Sequence, residues 1–177
     1  EDKRLSYLSK MDAVKLIEET VWDKKRNRSR FIGTATDVIL DYTSSNPYYI
    51  QIFCARLVEY MNTQKAISAT EADVYEVAQT FIKGEQSLSI DKFDNLITAG
   101  DADIEIFETK DILKTLREIS LASKNLDSCS RESIKLGDKE KEDKILLDLK
   151  NREVISCPQP GYYKIKVRLF KEWLINN

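Results

Sequence analysis

The run "DKKRNRSR" is a dense cluster of charged side chains, nearly all of them basic. Five of the seven residues from Lys24 to Arg30 are basic, and none of the seven is apolar. A segment without apolar residues has no face to bury, which predicts a solvated loop. Clustered lysines and arginines are also the residues that contact phosphates and nucleic acids. The sequence leaves both interpretations open, a solvated loop and a phosphate contact.

The stretch "SSNPYYIQIFCARLVEYM" places polar and aromatic residues at the start of an apolar helix. Asn46 suits the cap position, and Pro47 suits the first helical position, where the missing N–H has no partner inside the helix anyway. The apolar residues that follow at helical spacing are Ile50, Phe53, Cys54, Leu57 and Met61. We therefore predict that this helix is the spine of a first domain, with Asn46, Pro47 and Tyr48 at its mouth.

Composition argues against several kinds of catalysis. The chain has no histidine, which removes most general-base, catalytic-triad and zinc chemistry. Its cysteines, Cys54, Cys129 and Cys157, are odd in number and lack metal-ligand spacing, so we predict reduced thiols. No G-x-x-x-x-G-K-[ST] motif is present, and none of the five glycines neighbours another, so no glycine-rich loop can hold phosphates. We expect no catalysis, no metal and no cofactor in this chain by itself.

Length and charge indicate one or two domains. The chain has 177 residues, of which 42% are hydrophobic and 33% charged, enough for a buried core. No apolar run approaches the roughly 20 residues that span a bilayer, and there is no signal-peptide layout, so we expect a cytoplasmic protein without membrane partners. The first residue is not Met, and we expect a fragment of something longer. Residues 1–108 carry 13 basic and 19 acidic residues, whereas residues 109–177 carry 15 and 11, which predicts different roles.

The elements that would position these residues begin with four helices and no convincing strand. Ser9 is suited to cap the first helix, and Thr34 or Thr36 the second. The third is the proline-led helix. Before the fourth, "SATE" is a capping-box pattern, with Ser68 or Thr70 as the cap.

From Thr109 onward, the pattern is three helices followed by two strands. Thr109 and Ser130 are suited to cap the first two helices, and "DKEKEDKILLDLKNR" is the third. The strands "EVISC" and "YYKIKV" are joined by "PQPG", which favours a turn, and the helix "RLFKEWLIN" follows. This is the order of a winged helix-turn-helix domain. We therefore predict a mainly α protein with a small β-hairpin: a helical domain (1–84), a connecting segment with a short helix (85–108) and a winged-helix domain (109–177).

Two stretches together resemble one family. "LDYTSSNPYYIQIFCARLVEYMN" and the following "KAISATEADVYEVAQTFI" resemble the helical lid that follows the P-loop core in STAND and related AAA-type ATPases, where "tGGhP-x-x-Lq" begins a helix. "ILLDLKNREVISCPQPGYYKIKVRLFKEWL" looks like the winged-helix domain of that group, which has a Leu-x-x-Arg-Gly turn, a Tyr-led strand and a final "lf..Wl" helix. The matching residues are Leu149, Arg152, Tyr163, Leu169, Phe170, Trp173 and Leu174. The chain departs from the pattern where "SSN" and Glu153 stand at usual glycines.

The resemblance implies a nucleotide-dependent function. In the family the corresponding proline packs against adenine, a role that would fall on Pro47, with Asn46 and Tyr48 as neighbours. Related initiators have an arginine on the equivalent helix that reaches the γ-phosphate, and Arg56 is the basic residue in the middle of this one. The implied ligand is ATP or ADP with Mg, held in the full-length parent by a P-loop core absent from this chain. That core and other subunits of an oligomer would be the partners, with signalling or defence as the process.

On this hypothesis the chain is a C-terminal regulatory fragment that couples nucleotide state to domain arrangement. The alternative is a DNA-binding winged helix, whose contacts would come from the third helix and the wing. Those residues are Lys139, Lys141, Lys144, Lys150, Lys164, Lys166 and Arg168. Acidic residues interleave with the helix lysines, so DNA is not the favoured partner. A platform for protein partners is a third alternative.

Overall fold

The chain divides into two compact units between Gln86 and Ser87. The computed structural model describes residues 7–98, 107–134 and 137–177. Both units are mainly helical with a small antiparallel sheet, which confirms the predicted mainly α class. In the described ranges, no helix is both long and apolar enough to cross a membrane.

The first unit has the four predicted helices within residues 7–86. They are α1 (Lys10–Val21), α2 (Ala35–Thr43), α3 (Pro47–Thr63) and α4 (Glu71–Ile82). Ser9 caps α1 by accepting a hydrogen bond from the Asp12 backbone N–H at 3.1 Å. Thr70, rather than Ser68, precedes α4, and its backbone N–H donates to the Asp73 carboxylate at 2.7 Å. These local bonds satisfy backbone donors that have no partner inside the helix.

The apolar stripe of α3 is buried, as predicted. Phe53 and Leu57 are fully enclosed, and Ile50, Cys54 and Met61 are buried beside them. The Phe53 ring lies 5.8 Å from the Tyr42 ring of α2 and 5.2 Å from the Phe81 ring of α4, measured between centroids. Because each such side chain contributes about 1.5–3 kcal/mol on burial, α3 is the main core element of this unit.

The prediction that the first unit has no strand was wrong. Strand β1 (Trp22–Asp23) pairs with β2 (Arg28–Ser29) as an antiparallel hairpin. The Asp23 side chain folds the connection, because its Oδ1 accepts from the backbone N–H of Lys25 at 3.0 Å and of Arg26 at 3.1 Å. Asn27 then takes a positive φ of 50°, a conformation that Asn tolerates well. The basic run is therefore an ordered hairpin instead of an open loop.

The second unit combines helices with a three-stranded sheet. The helices are α5 (Asp94–Ile97), α6 (Thr109–Ala122), α7 (Lys139–Asn151) and α8 (Arg168–Asn176), and the strands are β3 (Cys129–Ser130), β4 (Ile155–Ser156) and β5 (Tyr162–Ile165). The strand order is β3-β5-β4, with both pairings antiparallel. Thr109 is the first residue of α6, and Glu108 occupies the cap position. The unit is thus built around the predicted hairpin, with one added strand.

Two predictions for the second unit need correction. The helix predicted after Ser130 is only a turn of 3₁₀ helix, Arg131–Ser133, and it follows a strand that was not predicted. The other correction concerns the predicted connecting segment, whose residues 99–106 lie outside the described part. Its first half packs into the second unit: the Phe93 ring stacks on Phe170 at 4.7 Å, and the Trp173 indole N–H donates to the Leu88 carbonyl at 2.7 Å.

Candidate functional site

The mouth of α3 is formed by a turn with an unusual backbone. Ser44 and Ser45 both have positive φ, 51° and 62°, so two consecutive serines adopt the left-handed conformation. Asn46 then caps α3, and its Oδ1 accepts from the backbone N–H of Tyr48 at 3.1 Å and of Tyr49 at 3.4 Å. Asn46 is buried with 7% of its surface exposed, so its side chain serves the helix start.

Two ring-bearing residues at this mouth, Pro47 and Tyr48, have solvent-accessible surface. Pro47, the first residue of α3, is half-buried. Tyr48 is 41% exposed, and its ring meets the buried Tyr49 ring edge-on at 5.2 Å. The mouth therefore exposes a proline ring and a tyrosine ring, groups of the kind that pack against a flat apolar ligand.

Arg56 is held by α4 instead of facing the helix mouth. Its guanidinium lies 4.8 Å from the centre of the Phe81 ring, and one of its N–H groups is 3.4 Å from the Thr80 hydroxyl. The same nitrogen lies 3.4 Å from the Gln86 carbonyl. Since α3 rises about 1.5 Å per residue, Arg56 lies about 14 Å along the axis from Pro47. The structure thus gives Arg56 a packing role and does not bring it to the mouth.

Most of the predicted DNA-contacting cations are already paired with carboxylates. On α7, Lys141 lies 2.5 Å from Asp111 and Lys144 lies 3.3 Å from Glu140. On and after β5, Lys164 pairs with Asp127, Lys166 lies 3.2 Å from Glu153, and Arg168 lies 2.6 Å from Glu172. Lys139 and Lys150 are exposed. A phosphate at this surface would have to displace the molecule's own acidic groups.

Two arginines of the second unit hold its interior together. Arg131 lies 2.6 Å from the buried Glu142 and 2.7 Å from Asp143. Arg152 and Asp148 have side chains only 3% exposed and lie 2.8 Å apart, and Arg152 also donates to the Leu96 carbonyl at 3.1 Å. The buried acidic residues of α7, Glu142 and Asp148, are therefore paired with arginines of the same unit.

The β1–β2 hairpin borders an open pocket of about 570 Å³ in the first unit. Its lining consists of Trp22, Asp23, Lys24, Lys25, Arg26 and Arg30. Trp22 is 44% exposed. Arg26 donates to the Asp23 Oδ2 at 3.0 Å. The pKa of Asp23 is held below its usual value, first by the hydrogen bond from the Arg26 backbone N–H, so the carboxylate stays ionised.

The sequence predicts the basic run but neither the pocket nor the place of Trp22 in its lining. Two local signals for the hairpin were present: an Asp that can bond to the backbone two and three residues later, and an Asn at the left-handed position. Neither signal outweighs the absence of apolar residues, which predicts a loop. The side of the hairpin on which the tryptophan lies could not be obtained from those signals.

Two of the three cysteines are buried and unreactive at neutral pH. All three are free thiols, of which Cys54 and Cys129 are buried. Burial raises the pKa of Cys54 to about 12 and also raises the pKa of Cys129, so neither forms a nucleophilic thiolate at neutral pH. Within the described ranges, no group of three or more Cys, Asp or Glu residues is placed to hold a metal ion.

Comparison of the chain with known proteins gave no match among protein-family models, curated proteins or solved structures. The geometry of the helix mouth, the second-unit surface and the hairpin pocket is therefore the basis for assigning a function.

Proposed function

We propose that this chain is a non-catalytic regulatory module of a nucleotide-binding protein, consisting of a helical lid and a winged-helix domain. In this proposal the mouth of α3 contacts the base of ATP or ADP, whose phosphates and Mg are held by a separate P-loop core. Exchange of the nucleotide would change the contacts of the lid and shift the arrangement of the domains.

The observation that carries the proposal is the backbone at the positions where the resembled family has glycines. Ser44, Ser45 and Glu153 all have positive φ, at 51°, 62° and 59°. Only a few per cent of non-glycine residues have positive φ, since the conformation costs about 1–2 kcal/mol for most side chains. Residues at three motif glycine positions therefore adopt the conformation that glycine prefers, which supports the correspondence with the family.

The geometry around Glu153 supports the second half of the correspondence. The Glu153 N–H bonds to the Lys150 carbonyl at 3.0 Å, and the Val154 N–H bonds to the Leu149 carbonyl at 2.9 Å. These two bonds define the Schellman motif that ends many helices, with glycine usual at the left-handed position. The order of α6, β3, a 3₁₀ turn, α7, β4 and β5 further supports the winged-helix assignment.

The proposal is tested by Pro47→Ala in the natural protein that contains this chain. We expect the nucleotide dissociation constant to rise about fivefold, because removing ring carbons that pack on a base costs about 1 kcal/mol. Calorimetric titration with ADP measures the constant. Pro158→Ala is the matched control, since it makes the same chemical change at an exposed residue of the β4–β5 turn.

An unchanged affinity in Pro47→Ala would remove the base contact from the proposal. The proposal also requires a Walker A strand–loop–helix in the natural protein, on the amino-terminal side of this chain. Its absence from the gene would overturn the nucleotide-switch function altogether.

A further inference from the structure

We infer that the β1–β2 hairpin and its pocket form a binding site for single-stranded nucleic acid, with Trp22 stacking on a base and the hairpin cations contacting the phosphates. This inference does not depend on the proposed nucleotide switch.

The first argument is that the charge of the hairpin is unbalanced. Residues 23–30 contain five basic residues and one acidic residue, a net charge of +4, whereas the rest of the first unit carries 7 basic and 12 acidic residues. The acidic residue, Asp23, is paired with the Arg26 side chain. Lys24, Lys25, Arg28 and Arg30 are all exposed, and none of them has a carboxylate partner among the residues that the structure describes. Phosphates can therefore bind these four side chains without displacing an internal partner.

The second argument is the tryptophan in the same pocket. An indole that is 44% exposed beside lysines and arginines matches the way in which proteins hold single strands, by stacking on bases and contacting the backbone with cations. In a duplex the bases are stacked on each other and are not available to an indole. The combination of Trp22 with the cations therefore favours a single strand over a duplex.

The third argument is that the site is held in shape before any ligand arrives. The hairpin is anchored at its base by Val21 and Phe31, which are buried. The Arg30 carbonyl accepts from the Ala69 N–H at 2.9 Å, which ties the end of the hairpin to the segment before α4. Asp23 fixes the turn with its two backbone hydrogen bonds. Binding thus avoids much of the entropy cost of ordering a loop.

Other features of the pocket argue against two other partners. A nucleotide with two or three phosphates would need converging backbone N–H donors, whereas the N–H groups of Lys25 and Arg26 are already bonded to Asp23. An anionic membrane would satisfy the cations and the tryptophan, but it does not need a concave pocket. The partner that uses both the pocket and the charges is a strand with bases and phosphates.

The test is fluorescence anisotropy of a labelled 12-nucleotide oligothymidylate and the corresponding oligouridylate with the 177-residue chain, in a KCl series. Four phosphate contacts predict a log–log slope of about −2.8 against salt and a dissociation constant on the order of 10⁻⁵ M. Trp22→Ala is expected to weaken binding about tenfold, whereas Trp22→Phe keeps an aromatic face and most of the affinity. A 12-base-pair duplex is expected to bind more weakly than either single strand. Tighter binding of the oligothymidylate or of the oligouridylate identifies DNA or RNA as the preferred strand.

The matched pair of variants is Lys24→Ala/Lys25→Ala and Lys139→Ala/Lys150→Ala. Both change the net charge equally at exposed residues, but only the first removes hairpin cations. Each lost contact costs about fivefold at 0.1 M salt, so the hairpin variant should bind about 25-fold more weakly with half the salt slope, and the control should be unchanged.

Four results would overturn the inference. The first is the absence of oligonucleotide binding at about 25 mM KCl, where phosphate contacts are strong. The second is an equal loss of affinity in the two double variants. The third is an unchanged affinity in Trp22→Ala together with equal binding of the duplex. The fourth is hairpin-dependent binding to phosphatidylserine vesicles without oligonucleotide binding, which would assign the site to a membrane surface.

Discussion

The β1–β2 hairpin and the predicted DNA surface of the second unit both carry clustered lysines and arginines, but their surroundings differ. In the second unit, Lys141, Lys164 and Lys166 each pair with a carboxylate of the same unit. In the hairpin, Lys24 and Lys25 extend from a turn whose single acidic residue is occupied by Arg26. The two regions therefore differ less in their number of cations than in how many of those cations are paired with carboxylates. Unpaired cations are the ones that an anion can contact without displacing a carboxylate.

The same contrast extends to burial. Arg152 is 3% exposed and lies among backbone carbonyls and the Asp148 carboxylate, so its charge belongs to the interior. Hairpin cations such as Arg28 are exposed to solvent, where a charge has little effect on stability. A buried cation such as Arg152 should thus affect folding, and an exposed cation of the hairpin should affect binding.

The largest expected effect is on the stability of the second unit. Arg152→Met leaves Asp148 buried without its partner, which should lower the free energy of unfolding by about 3–5 kcal/mol. Urea denaturation followed by Trp173 fluorescence measures this, in a Trp22→Phe background so that the signal comes from the second unit. Arg28→Met is the matched control and should change stability by less than about 0.5 kcal/mol. Similar losses in the two variants would break the contrast between the regions.

The next effect is the release of second-unit cations. Asp127→Asn/Glu153→Gln removes the partners of Lys164 and Lys166. In the Lys24→Ala/Lys25→Ala background, we expect the two released cations to form a separate weak site that raises oligonucleotide binding most at low salt, with under about 1 kcal/mol of stability lost per exposed pair. Anisotropy and thermal denaturation report the two quantities.

The control for this release is Glu85→Gln/Glu132→Gln, which makes the same change in net charge at exposed positions. If the control raises the affinity as much as the test variant does, net charge alone determines binding, and the pairing argument fails.

The smallest effect is expected at the hairpin turn. Asp23→Asn keeps an oxygen that can accept from the Lys25 and Arg26 backbone but releases the Arg26 side chain. One more available cation should tighten oligonucleotide binding about fivefold at 0.1 M salt and steepen the salt slope by about 0.7. A weaker affinity in this variant would mean that the Asp23 charge is needed to hold the turn, which circular dichroism and anisotropy together would reveal.

Helices with regular apolar spacing and a local cap were predictable from the sequence. The stripe of α3 and its Asn46–Pro47 start are examples, because burial and capping depend on residues within the same helix. Some of the shortest strands could not be predicted from local sequence. Strand β3 spans only Cys129–Ser130, and its hydrogen bonds go to β5, more than thirty residues later, so no local periodicity marks it.

The sequence by itself determined the chemistry that is available: no histidine, no phosphate-binding loop, a proline-led apolar helix and a basic run of seven residues. Only the tertiary structure decided which charges remain accessible. It placed Asp127 beside Lys164 and Asp111 beside Lys141, and it placed Trp22 in one pocket with Lys24 and Arg30. The reason is physical, since the availability of a charge depends on the distance to its counter-charge in space, which spacing along the chain does not fix.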